Sequence, residues 1–542
     1  MLAKSEDGGN WGVVGGGTEA ESLGVSGSQV YLSGDGRIAA VGYNTVVSLY
    51  GISLDRVGSP PATPPATPAA EEAAASYGST GTEEEEEEEE EDASDTCAPF
   101  SGAVPDESGA LGIIDDLPHT KDDEKSEQHT LSLSLSDDGS IVAVGVDSYD
   151  PDSDALVPED RGLVRTFAWS CELGRYVRLG SDLLGDLEFD GFGQSVDLSA
   201  DGGVLAVGAN QVCADGLLAI LVLWLTFLHS ISQPPPGKTG YVNVYELEGS
   251  DGDREWKLVG DRIDSFSKKE ISDVGRSVGL SSDGQTLLIL GSVSVDNGDS
   301  SFMRVMRKDS DKWAIVGDDI KSSISYDDWG TSAHAVLSRD GKTVVITGSY
   351  SQFLAKLYEF DETLSKWNET IVPPLSCNST SMDGDEDGAT DDYYYYGFDL
   401  SYGCYFTGEG VSVNSDASAI AVVGTSYTSS GGEVATVRVV QKNSTTGNYT
   451  LIQDPIDFDA DQYISSVDIS GDGQKLAVGI KEDTNGRGTS ISFNLDKEGK
   501  WVRNGQANGL NETDLLGARV QVTDDGKLAA ASSRRGYIQF FP

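Results

Sequence analysis

The chain has 542 residues, 38% hydrophobic and 8% aromatic, enough for one large repeat domain or two to four ordinary ones. It carries 90 acidic residues against 37 basic ones, a formal net charge of −53. Such a charge argues against nucleic acid or anionic membrane as a general partner, because phosphate binding needs clustered Lys and Arg, and only 4 histidines remain for a His-based metal or catalytic centre.

In chain order, the N-terminus reads Met1-Leu-Ala-Lys-Ser-Glu-Asp, with no apolar h-region and no visible signal peptide. A short strand, Trp11-Gly-Val-Val-Gly15, precedes the first strong pattern. That pattern is Val30-Tyr-Leu-Ser-Gly-Asp-Gly-Arg-Ile-Ala-Ala-Val-Gly42. It returns from Leu133 to Gly145 and from Val196 to Gly208, with further copies centred on Gly284, Gly341, Gly473 and Gly526 and a degenerate one at Asp416-Ala417. Period-2 alternation predicts a strand with one buried face, and Asp-Gly supplies the positive φ that a tight turn needs, so each copy reads as a β-hairpin.

A third alternating strand follows each hairpin, as in Tyr241 to Tyr245, Leu354 to Tyr358 and Tyr537 to Phe541. A fourth then opens on an aromatic: Tyr176, Trp256, Trp313, Trp367, Tyr449 or Trp501. Four antiparallel strands per unit, repeated radially, make a β-propeller blade, and the fold class is all-β. The last unit stops at its third strand, and Trp11 to Gly15 is an unmatched fourth, so the reading is a single propeller of eight blades closed by the N-terminal strand. Seven blades, with the unit at Asp416 displaced, is the alternative.

Three insertions interrupt the repeat. The first separates a blade over 10–57 from the remaining blades over 129–542. It spans 59–128 and opens Pro/Ala/Thr-rich. It holds 21 acidic residues, nine of them consecutive (Glu83 to Glu91), against two Lys. With like charges repelling and little apolar to bury, it reads as a disordered low-complexity segment, or as a polyanionic tail for a cation or basic partner. The second, 212–236, contains an apolar run from Gly216 to Ile231, short of the roughly 20 residues that span a bilayer. Three readings compete for it: a buried or interfacial helix, a marginal membrane segment, or translated non-coding sequence. Membrane association follows only if this segment is real. The third insertion is 376–408.

The run Leu179-Gly-Ser-Asp, then Phe192-Gly-Gln-Ser-Val-Asp-Leu-Ser-Ala-Asp-Gly, then Leu205-Ala-Val-Gly and Gly240-Tyr-Val-Asn-Val-Tyr, resembles FG-GAP-like propeller repeats, relatives of the integrin α-subunit propeller. The Ser-x-Asp-Gly core also looks like WD40 repeats, but the Gly-His and Trp-Asp dipeptides are missing and the repeat is longer.

The third insertion carries the sharpest chemical motif, Asp383-Gly-Asp-Glu-Asp-Gly-Ala-Thr-Asp391. Alternating carboxylates on a Gly-turned loop converge, and calcium takes six to eight oxygens at flexible geometry. Asp383, Asp385, Asp387 and Asp391 would give side-chain oxygen and Ala389 a carbonyl. The spacing resembles the FG-GAP calcium loop, although it falls between units rather than inside a hairpin. An EF-hand is excluded by Tyr394 at the twelfth loop position. Tyr393 to Tyr396 follow, as a partner anchor or as a strand. Cys377 and Cys404 flank the loop and would tie its base in an oxidising compartment.

Sequons at Asn368, Asn378, Asn443, Asn448 and Asn511 lean the chain toward the cell surface or exterior; the missing signal peptide leans back. No catalytic motif stands out. The expected role is a non-catalytic recognition or adhesion module with a protein or glycan partner. An intracellular WD40-like scaffold and a propeller glycoside hydrolase are the alternatives.

Overall fold

The computed structural model describes residues 29–51, 110–114, 131–149, 161–210, 240–264, 271–326, 334–347, 355–372, 410–427, 433–482, 486–509 and 515–541, short gaps aside, together with 2–4 and 11–13. Among them there is no helix. The strands form successive antiparallel sheets, each hydrogen-bonded in chain order.

Sheet 1 holds Gln29–Leu32, Ile38–Tyr43, Val46–Gly51 and Ala110–Ile114. Sheet 2 holds Leu131–Leu135, Ile141–Val146, Leu163–Ser170 and Arg175–Arg178. Sheet 3 holds Phe192–Leu198, Val204–Ala209, Tyr241–Glu248 and Glu255–Leu258. Sheet 4 holds Ile271–Leu280, Thr286–Val295, Gly298–Asp309 and Lys312–Ile315. Sheet 5 holds His334–Leu337, Thr343–Thr347, Ala355–Asp361 and Lys366–Thr370. Sheet 6 holds Val411–Val413, Ala419–Tyr427, Glu433–Lys442 and Tyr449–Leu451. Sheet 7 holds Tyr463–Ile469, Lys475–Glu482, Thr489–Leu495 and Trp501–Asn508, and sheet 8 holds Arg519–Val522, Ala529–Ser532 and Ile538–Phe541.

Period-2 side-chain alternation packs each sheet on both neighbours. In Ile141–Val146, Ile141 and Ala143 join the core shared with sheet 3, beside Leu205 and Val207. Val142, Val144 and Val146 face the other way, onto Ile38, Ala40 and Leu49 of sheet 1. The second strand is therefore buried on both faces, as its unbroken apolar composition demands. Two of the fourth-strand aromatics anchor backwards: Trp256 Nε1 donates to Thr166 Oγ1 of sheet 2 at 2.8 Å, and Trp367 Nε1 to the Val316 carbonyl at 2.8 Å. The first strand of each sheet lies beside the first strand of the next, from sheet 1 to sheet 8, and that of sheet 8 lies beside that of sheet 1. Consecutive antiparallel sheets stacked in this way are a β-propeller.

Two local expectations change. Ala110–Ile114, inside the acidic 59–128 segment, pairs with Val46–Gly51 as the fourth strand of sheet 1. Its Leu111-Gly-Ile-Ile is the apolar exception in that segment, and it provides what an edge strand needs. The other residues of 59–128 and the whole of 212–236 lie outside the described residues. The Asp-Gly corners also divide their labour differently: the glycine takes the positive φ (68° at Gly139), while the aspartate makes hydrogen bonds. Asp138 Oδ1 accepts from Ser136 Oγ at 2.7 Å and from the Ser140 amide at 2.8 Å; Ser136 Oγ in turn accepts from the Ile141 amide at 3.0 Å. The degenerate copy keeps the left-handed corner with an alanine, Ala417 at φ 54°.

The last glycine of the repeat is required by its neighbour at Gly145, Gly208 and Gly479. A Cβ on Gly208 would stand 1.9 Å from the Gly275 carbonyl oxygen of sheet 4, because that backbone runs directly across it. At the N-terminus, Trp11–Val13 pairs with Leu2–Lys4 and lies alongside Ile538–Phe541, while sheet 8 has three hydrogen-bonded strands among the described residues.

Candidate functional site

The hairpin corners converge where the first strands meet. Corner residues of neighbouring sheets face one another, and the backbones hand hydrogen bonds along, from the variable residue of the Ser-x-Asp-Gly in sheets 2 to 4 and from the aspartate of the Asp-Gly in sheet 1. Asp35 donates to the Asp137 carbonyl (2.9 Å), Asp137 to Ala200 (2.8 Å), Ala200 to Ser282 (2.9 Å) and Ser282 to Arg339 (2.8 Å). From sheet 5, Arg339 then reaches across to the opposite side. Its Nη1 lies 2.8 Å from Asp137 Oδ2 of sheet 2 and 3.0 Å from Asp524 Oδ2 of sheet 8. Burial works against this cation, but the facing carboxylates of Asp524 and Asp137 outweigh it and hold its pKa above the ordinary arginine value. Burial raises the Asp524 pKa, and Arg339 offsets part of that rise. A polar hollow of about 170 Å³ remains beside the bridge, walled by Ser33, Ser415, Asp468, Gln521 and Asp524.

One layer below, side chains tie first strands that are too splayed for backbone pairing. Asp197 Oδ2 accepts the Leu280 amide of sheet 4 at 2.7 Å, while its Oδ1 accepts Ser134 Oγ of sheet 2 at 3.1 Å. Asp468 repeats this between sheets 6 and 8, accepting Ser412 Oγ at 2.6 Å and the Val522 amide at 2.8 Å. Gln521 Oε1 accepts the Leu32 amide of sheet 1. Burial pushes the Asp197 carboxyl up to about 6 despite the donors from Leu280, Ser134 and Leu198. Asp468 is likewise pushed up to about 6, against the donors from Ser412, Val522 and Ile469. At sheets 4 and 5 the corresponding residues are Gly279 and Val336, which have no side-chain acceptor to offer.

Sequence reasoning missed this cluster. Arg339, Asp137 and Asp524 each stand at the variable position of a repeat, and 202 residues separate Arg339 from Asp137. The available signal was a lone Arg at a position otherwise holding Gly, Ala, Ser or Asp.

The sequence-predicted calcium residues Asp383, Asp385, Asp387, Ala389 and Asp391 lie outside the described residues, as do Cys377, Cys404, Asn378 and Asn511. Asn368, Asn443 and Asn448 are exposed on sheets 5 and 6, and Asn443 Oδ1 caps its hairpin by accepting the Thr445 amide at 2.9 Å. Cys171, in the exposed turn after Leu163–Ser170, is disulfide-bonded. No group of three or more His, Cys, Asp or Glu able to hold a metal occurs among the described residues, and no helix there is long and apolar enough to cross a membrane.

No family model matches the chain, and no curated protein does. Among solved structures it is similar to Sqt1 from Chaetomium thermophilum, at 13% identity and TM-score 0.46, over 76% of this chain and 81% of that one. It is also similar to the beta-propeller domain of the Trilobed protease from Pyrococcus furiosus, at 10% identity and TM-score 0.38, over 76% and 95% of the two chains. An oligogalacturonate lyase in complex with manganese follows at 11% identity and TM-score 0.41, over 77% and 89%. At such scores none of them carries an argument about what this chain does.

Proposed function

We propose that the chain is an eight-bladed, FG-GAP-type propeller acting as a non-catalytic recognition module that presents its loops to a protein or glycan partner. The blade number is supported by sheet 6: its degenerate repeat still inserts Val411–Val413 between the first strands of sheets 5 and 7. Closure is supported by the Gln521–Leu32 bond and by Trp11–Val13 running beside Ile538–Phe541. The observation that carries the recognition reading is the Arg339 bridge. Where radial repeats bring side chains from several units together, Arg339 spends its charge on Asp137 and Asp524, and the convergence point becomes a structural plug. The outward loops are then the surface for contact. The Cys171 disulfide favours an oxidising compartment over an intracellular scaffold.

Within this reading the loop from Asp383 to Asp391 binds one calcium ion. Isothermal titration of calcium into the full chain is expected to give saturable heat that Asp385→Ala removes; equal heats for both proteins discard the calcium site. Incubation with panels of glycosides, lactones and peptides is expected to give no turnover. Turnover abolished by one carboxylate substitution would replace the recognition reading with an enzymatic one.

A further inference from the structure

Because the sheets repeat, the same position can be compared at different junctions. Between sheets 2 and 3, Tyr241 opens the third strand of sheet 3 and is 2% exposed. The Arg262 guanidinium lies over its ring at 4.7 Å, its hydroxyl donates to Asp190 Oδ2 at 2.8 Å, and Arg262 pairs with Asp186 at 3.0 Å. The space between these two sheets is thus filled by an internal phenol.

Strand register maps these positions onto the junction of sheets 6 and 7. Gly240 and Gly488 each form a parallel bridge to the following sheet, so Thr489 stands where Tyr241 stands. Ile263 lies opposite Val242, and Ala507 opposite Ser490, which puts Gln506 at the place of Arg262. Leu183 lies opposite Val164, and Ile456 opposite Val437, which puts Asp459 at the place of Asp186. The carboxylate is kept, an amide replaces the guanidinium, and Arg503 donates to that amide and so restores a cation to the wall. The phenol itself is missing. Threonine in its place leaves a cleft of about 470 Å³ with Phe458 and Phe493 among its walls. That volume lies within the roughly 300–1,000 Å³ of ordinary ligand sites.

We infer that this cleft is a vacant tyrosine slot, and that it takes a tyrosine side chain of a protein partner. The ring would pack on Phe458 and Phe493 with Arg503 nearby, and the Asp459 carboxylate in the same wall would accept from its hydroxyl; aromatic stacking and cation–π attraction both favour such a guest. With a net charge of −53 the chain draws basic segments, so the recognised tyrosine sits among Lys or Arg. This deepens the recognition reading and rests on it.

The test uses the full chain and two blocked tripeptides, acetyl-Lys-Tyr-Lys-amide and acetyl-Lys-Ala-Lys-amide, at about 0.15 M salt, so that general attraction to an acidic protein cancels between them. The wild type is expected to prefer the tyrosine peptide by about tenfold, as buried aromatic anchors do. Thr489→Tyr fills the slot from within; it should abolish the preference while keeping the thermal midpoint at or above wild type. Arg503→Ala, at an exposed position, should cut the preference several-fold. Equal binding of the two peptides by the wild type, or an undiminished preference in Thr489→Tyr, overturns the slot. Should Thr489→Tyr fail to fold, Arg503→Ala decides, and an unchanged preference there overturns it too. None of these outcomes touches the recognition reading, which the turnover measurements test separately.

Discussion

Asp468 offers a sharp test of how the first strands are tied. Its carboxyl is held at about 6, against the ordinary 3.8, because burial outweighs the donors from Ser412, Val522 and Ile469. Ionising a group so displaced costs the fold on the order of 3 kcal/mol. The folded pKa lies above the unfolded one, so the native state binds the extra proton. This group's contribution is fully favourable below pH 3.8 and is lost as pH rises through 6. Asparagine keeps one acceptor oxygen, puts an NH2 donor at the other place as the protonated carboxyl puts an O–H there, and removes the charge; Gln521 already ties Leu32 with a neutral amide. Asp468→Asn should therefore match the wild type near pH 4 and exceed it by up to about 3 kcal/mol near pH 7. Urea unfolding of both proteins across that range at fixed salt measures it. The net charge of −53 imposes its own slope on both, and the difference between them isolates Asp468. Parallel pH curves, or a variant less stable at pH 7 than at pH 4 relative to wild type, would refute the reasoning.

Further outcomes follow from the same contacts. Arg339→Met leaves Asp137 and Asp524 facing one another without their cation; a loss of about 1–2 kcal/mol is expected in urea unfolding, and adding Asp137→Asn with Asp524→Asn should recover most of it. Should the triple variant unfold no later than the single one, the bridge is not what Arg339 contributes. Gly208→Ala places a methyl 1.9 Å from the Gly275 carbonyl oxygen and should cost more than about 3 kcal/mol, against well under 1 for an exposed surface change; a melting temperature close to wild type contradicts the close approach. Reduction of the Cys171 disulfide should lower stability by about 2–4 kcal/mol, with non-reducing peptide mapping revealing its partner; a free Cys171 thiol in the oxidised protein contradicts the bond.

Much of the architecture was legible before any coordinates. Ser136-Asp-Asp-Gly139 and its copies announced their corners, and the alternating runs beside them announced strands. Trp256, Trp313, Trp367 and Trp501 each stand at the first or second residue of a sheet's fourth strand, close to where their spacing put them. These signals are local: a corner needs one left-handed residue and a side chain to bond its own backbone, and both are written within four residues. The fourth strand of sheet 1 was harder to see. Leu111-Gly-Ile-Ile lies inside a segment whose charge dominates any window average, and it becomes a strand because Val46–Gly51 offers it an edge.

The chain alone determined the repeat and the hairpins, since alternating runs and a left-handed corner are local features that need no partner. It could not say which variable residues meet. Arg339 sits in the same slot as Gly34, Ala200 and Gly471, and only the curvature of the stacked sheets brings it to Asp137 and Asp524 rather than to its sequence neighbours. Likewise Thr489 is an ordinary strand threonine until register sets it against Tyr241. Charge pairing and cavity formation depend on distances between sheets, and those distances exist only once the sheets have stacked.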